Sequence, residues 1–220
     1  MLDDDRDVAL SNPHRPARQH SAKSRDDPEG ASKGVEANAR LTASIAAVLL
    51  VLLAVEGATI LQIHPLLNAH VFIGMLLIPP IALKIGSTGY RFVRYYSGSP
   101  AYRRKGPPPA LLRLLGPFVV VLTVVMFASG VALLFTGSGL RQNLLFIHRA
   151  SFVLWLGAMT IHVLGHLGDT ARLAPRDFYW RTRKQVAGAG LRQWSIVASL
   201  VVGVLLAALT VGRAGHFFVG

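Results

Sequence analysis

Five runs of this chain, at residues 41–63, 66–86, 111–136, 144–168 and 194–212, are apolar and long enough to cross a bilayer. Crossing its hydrocarbon layer of about 30 Å takes about 20 helical residues. No other feature restricts the fold so tightly. Inside lipid each backbone N–H and C=O must be satisfied by the segment itself, and a single apolar run of this length achieves that only as an α-helix. With 52% of its 220 residues hydrophobic and only 15% charged, the chain is expected to be all-α. The predicted fold is a transmembrane helical bundle, a four-helix core in residues 41–170 plus a fifth, C-terminal transmembrane helix in 194–220.

The first 40 residues differ in kind. They hold seven Lys/Arg, eight Asp/Glu, three Pro and almost no large apolar side chain, so they cannot bury a core and read as a disordered tail at 1–40. A secretory signal would carry its apolar region within about the first 15–30 residues. Here that stretch is polar, and the first span is expected to remain as an uncleaved anchor.

The charge of +12 is unevenly spread. Lys84 to Arg113 carries seven basic residues and Arg172 to Arg192 six, whereas His64 to Ala69 carries no charge and Thr136 to Ile147 only Arg141. By the positive-inside rule the two basic loops, including 171–193, and the N-terminal tail face the cytoplasm, and the C-terminus lies outside the cytoplasm. The basic residues flank hydrophobic spans and lack interleaved base-stacking aromatics, which argues against nucleic acid and for an anionic lipid surface as their partner. Cysteine is absent. That excludes disulfides, Cys-ligated iron–sulfur clusters and covalent haem attachment, so a haem here would be held noncovalently. No glycine-rich dinucleotide fingerprint follows a strand, and no soluble stretch is long enough for a flavin or nicotinamide domain.

Ionisable side chains inside a span are costly and point to function. His148 and His162 lie 14 residues apart in the fourth run, nearly four helical turns, which offsets them by about 40° and separates them by roughly 21 Å along the axis. The second and fourth runs share one direction, so His70 and His148 open their helices at the same outer level. Paired imidazoles at a common depth are how haem is held between helices. The alternative is a pair of interfacial polar residues capping helix starts. Fourteen residues after His70 comes Lys84, level with His162. Lys84 is a candidate ligand for a second, inner haem, against the alternative that it snorkels to the headgroups. His166 shares the face of His148 about 27 Å away, and with His162 forms an i, i+4 pair of the kind that binds a metal ion, without an evident third ligand.

Smaller features fit a porphyrin beside these helices. Gly74 removes a side chain one turn after His70, Trp155 lies midway between His148 and His162, and Arg141 and Arg149 are placed to pair with propionates. Each has a structural alternative: close helix packing for Gly74, core for Trp155, interfacial anchoring for the arginines. Glu56, the one acid well inside a span, must be paired, solvated or protonated. It is a candidate proton relay at a quinol site, or an acceptor for a ligating histidine. His64 is a reserve ligand; His14, His20 and His216 read as surface residues.

His148 and His162 with 13 residues between them, together with His70, Gly74, Pro79 and Lys84, resemble the bacterial cytochrome b561-like membrane subunits of formate dehydrogenases and hydrogenases. The chain is also similar to small actinobacterial cytochrome b/b6-type proteins associated with molybdopterin oxidoreductases. The resemblance covers roughly residues 41 to 170. It implies a multi-pass protein of the bacterial cell membrane holding one or two haem b groups, with quinone as substrate. It also implies an extracytoplasmic redox partner, molybdopterin-dependent in such systems. In two-haem members a first-span histidine often supplies the fourth ligand, and no histidine lies at the inner end of that span here. The expected function is electron transfer between the quinone pool and a partner oxidoreductase, as a subunit and not a stand-alone enzyme. His70 and His148 would hold the outer haem and His162 one side of an inner one. The alternatives are a transmembrane ferric or small-molecule reductase, and a haem-free transporter or assembly factor using Glu56, Lys84 and the histidines as an ion path.

Overall fold

A computed structural model of the chain describes residues 28–104, 110–178 and 189–217. The long helices are α1 (Pro28–Ile60), α2 (Ile63–Tyr96), α4 (Ala110–Phe135), α5 (Ser138–Phe178) and α6 (Ala189–Thr210). A short α3 (Pro100–Arg104) follows α2, and a 3-10 turn (Val211–Phe217) follows α6. Five segments, Lys33–Ile60, Ile63–Tyr96, Ala110–Phe135, Ser138–Gly168 and Gly190–Gly215, are long and apolar enough to cross a membrane. The chain is an all-α, multi-pass helical bundle, as its hydropathy requires.

The connections explain the topology. α1 and α2 are joined by Leu61 and Gln62 alone, through bonds from Leu61 N–H to the Ala58 carbonyl and Gln62 N–H to the Thr59 carbonyl. So short a link leaves the two helices antiparallel neighbours. Thr136 and Gly137 do the same between α4 and α5. Pro65 does not break α2, because it falls in the helix's first turn, where its missing N–H has no intrahelical partner to lose. His64 therefore opens α2 and does not close the first span. At the far end Gly98, with φ of 89°, turns the chain into α3, a conformation that only glycine adopts without strain.

The helices overrun the predicted spans. α2 continues to Tyr96, about 51 Å in all, well beyond the hydrocarbon thickness. α1 begins at Pro28, so residues 28–40, assigned above to the disordered tail, are helical. Val35 and Arg40 are buried there, Arg40 Nε donates to Glu36 Oε1 at 3.0 Å, and Asn38 donates to the Ser87 carbonyl at 3.1 Å. The extension of α2 gives this polar stretch a surface to fold against. Residues 1–27 lie outside the described residues. Of the predicted basic loop, 171–178 prolong α5 and 189–193 begin α6, with 179–188 outside the described residues.

α4 packs along α5, α5 along α1, α1 along α2, and α6 along the outside of α2. α2 and α5 make no extended contact and stand diagonally across the four-helix core. Ile45, Leu49, Leu77 and Ile196 fill the α1–α2–α6 seam, and Val119, Leu122, Met126, Trp155 and Ala158 fill the α4–α5 seam. Outward surfaces carry large apolar side chains such as Val51, Leu114, Leu164 and Leu209, a pattern suited to lipid. The tightest seam is at Gly203 of α6, where a Cβ would run into the Leu76 carbonyl oxygen and lie 3.1 Å from its carbon. Backbones meet there because a small residue lets them.

Candidate functional site

His70 lies seven residues into α2 and His148 ten residues into α5, two helices that start from the same face of the bundle. Their rings face each other across the core with centroids 6.3 Å apart and planes at 84°.

Each ring is anchored from behind through Nδ1. His148 Nδ1 lies 2.9 Å from the Met126 carbonyl oxygen on α4, which can only accept. That nitrogen therefore carries the proton, and Ser129 Oγ stands 3.4 Å from it. His70 Nδ1 lies 2.9 Å from Thr59 Oγ1 and 3.0 Å from Glu56 Oε1, both on α1. Thr59 donates its one hydroxyl proton to the Glu56 carbonyl at 2.6 Å, so toward His70 its oxygen accepts and His70 Nδ1 is the donor. Both imidazoles are thus held as Nδ1–H tautomers. Each keeps its Nε2 lone pair, and neither Nε2 has a hydrogen-bond partner among the described residues.

This arrangement could hold a metal ion from two sides. The ring centroids are 6.3 Å apart and each ring keeps an unbonded Nε2, so the two imidazoles could share one ion between them. Among the described residues no group of three or more His, Cys, Asp or Glu is arranged to hold a metal ion. A bare ion held by two protein nitrogens would lack ligands, whereas a porphyrin brings four of its own. The donor set therefore fits haem iron, with a hydrogen-bond acceptor behind each ligand as metal-bound histidines almost always have.

Glycines give the rings room. A Cβ at Gly130 of α4 would sit 3.0 Å from His148 Cε1 and 3.2 Å from its Nδ1, so the ring lies directly on that helix backbone. A Cβ at Gly74 would meet Glu56 Oε1 at 3.4 Å, which places Gly74 beside the carboxyl that anchors His70. Thr59, Met126, Ser129 and Gly130 were missing from the sequence-based site. A Ser-Gly pair midway through an apolar span was the available signal for a close approach at Ser129–Gly130.

The other predicted residues divide. Trp155 is buried against α4, where its Nε1 donates to Thr123 Oγ1 at 2.9 Å, so it belongs to the core seam. Arg149 is exposed and lines an outer groove with Gln142, Phe146 and Val153. Arg141 is half-buried and His64 is exposed; the side chain of His216 lies outside the described residues. At the inner level, Lys84 Nζ donates to the Thr42 carbonyl of α1 at 2.8 Å. His162 and His166 have centroids 4.8 Å apart on one helix, too close to flank an iron. Among the described residues the inner level thus lacks the opposed pair that the outer level has. In comparisons with protein-family models, curated proteins and solved structures, the chain has no match.

Proposed function

We propose that this chain is a membrane-embedded b-type cytochrome that passes electrons between the quinone pool and a partner oxidoreductase docked on the extracytoplasmic side. The observation that carries the proposal is the His70–His148 pair, 6.3 Å between centroids and anchored at both Nδ1 atoms. When bound, a haem held by two imidazoles would supply one-electron exchange without making a bond to substrate. His70 and His148 would hold it through Nε2. Glu56, Thr59 and the Met126 carbonyl keep those nitrogens aimed by fixing the opposite side of each ring, and Gly130 lets His148 lie against α4. The positive-inside rule applied to the basic flanks of the spans supports a site nearer the extracytoplasmic face, which suits an outer redox partner of the kind that the resemblance to cytochrome b561-like subunits implies. With one opposed imidazole pair, one haem per chain is the expected stoichiometry.

The test is a reduced-minus-oxidised spectrum of the purified protein expressed with ample haem supply, followed by pyridine-haem quantitation. A b-type spectrum at one haem per chain is expected, lost in His70→Ala and in His148→Ala. A colourless wild-type protein, or a spectrum unchanged in both variants, would overturn the proposal.

A further inference from the structure

At the opposite end of α1, α2 and α5 a second polar cluster plays no part in holding the paired imidazoles. Lys84 Nζ donates to the Thr42 carbonyl. Thr42 Oγ1 and Ser87 Oγ are 3.1 Å apart, Asn38 donates to the Ser87 carbonyl, and Ser87 donates to the Lys84 carbonyl at 3.0 Å. On α5, His162 lies 14 residues after His148 as Lys84 lies 14 after His70, so the two share one level of the bundle, and His162 Nδ1 is buried without a hydrogen-bond partner among the described residues.

Two deficits meet here. An ammonium carries three donors, and among the described residues Lys84 finds one acceptor, Thr42, and no carboxylate. The acid on that stretch of α1, Glu36, pairs with Arg40. A half-buried cation without a counter-charge is costly, and the unbonded Nδ1 of His162 is a second unmet polar atom at that level. An anion with several acceptor oxygens satisfies the cation, and satisfies that Nδ1 in the tautomer that protonates it. Depth names its source. Lys84 stands 21 residues from the start of α2, about the number that spans the hydrocarbon, so it sits at the level of lipid phosphates. A neutral quinone head would supply acceptors but leave the charge unpaired.

We infer that Lys84, His162 and the Asn38–Thr42–Ser87 chain form a seat for the phosphate of an anionic phospholipid between α1, α2 and α5. The inference is independent of haem, since it concerns residues 14 positions along α2 and α5 from the imidazole pair, about 21 Å away.

The experiment uses the full chain purified in mild detergent, with bound phospholipid counted by native mass spectrometry and thermal unfolding followed after adding phosphatidylglycerol or phosphatidylcholine. About one phosphatidylglycerol per chain is expected to survive purification and to stabilise the wild type more than phosphatidylcholine does. Lys84→Met should retain it at least about fivefold more weakly, and Lys84→Arg should restore it. His162→Phe, which keeps the ring volume, serves where Lys84→Met fails to fold, and it should weaken retention in the same direction. Unchanged retention in Lys84→Met, or in His162→Phe where that stands in, overturns the inference. So does recovery of a quinone in place of the phospholipid. Equal stabilisation by inorganic phosphate alone would assign the pocket to a free anion and overturn the lipid as its source.

Discussion

Gly130→Ala tests the geometry of the site most directly, because it adds one methyl group against one side of His148. That methyl carbon would lie 3.0 Å from Cε1, 3.2 Å from Nδ1 and 3.9 Å from Nε2, so the ring must retreat by a few tenths of an ångström. It cannot do so freely, since Nδ1 is tied to the Met126 carbonyl one turn away at 2.9 Å. Overpacking of this kind costs about 1–3 kcal/mol, and stretching the anchor forfeits about 0.5–1.5 kcal/mol more. Alanine returns about 1 kcal/mol through its helix propensity. The net expectation is a destabilisation of about 0.5–3.5 kcal/mol, accompanied by loss of the b-type spectrum that the proposed ligation by His148 would give. Gly157→Ala on α5 is the control, since nothing lies within 4 Å of its added carbon. Thermal unfolding in detergent and absorbance spectra of both variants are the assay. If Gly130→Ala matches Gly157→Ala in both, the close contact between His148 and α4 is not what positions the ligand.

Three further outcomes are expected. Gly203→Ala should loosen α6 from α2 and lower the unfolding temperature sharply, because its neighbour is the Leu76 backbone and not a flexible side chain; a stability equal to wild type would contradict the packing. Glu56→Leu leaves Thr59 as acceptor for His70 and should weaken haem retention only modestly, whereas Glu56→Leu with Thr59→Val should lower affinity by about 10–100-fold, read as haem per chain after dialysis against apomyoglobin. Trp155→Phe and Thr123→Val should each destabilise by about 1 kcal/mol, and a double-mutant cycle should show them coupled through the single bond they share. Independent effects in that cycle would remove Trp155 from the α4–α5 seam.

What the sequence disclosed follows from what each signal measures. Hydropathy reports the solvent a segment prefers, so it located five spans and their alternation. It stopped at the first charged residues, although helices carry on through them when a neighbour offers a surface. Residues 28–40 and the end of α2 extend together for that reason, with Asn38 bonded to the Ser87 carbonyl. Helical periodicity reports depth and face, and that sufficed to bring His70 and His148 to one level. It cannot say what stands behind each ring, because the acceptor comes from a helix distant in sequence: Thr59 and Glu56 of α1 for one, the Met126 carbonyl of α4 for the other. A backbone carbonyl leaves no trace in residue identity at all. The same reasoning explains the inner level. Lys84 and His162 were matched in depth by spacing alone, yet a ligand pair also needs its nitrogens turned toward one another. The ammonium of Lys84 is turned instead to Thr42. Depth is set locally by counting residues, whereas orientation is set by tertiary neighbours. Two levels that look alike in spacing can therefore do different chemistry, an opposed neutral pair at one and an uncompensated cation at the other.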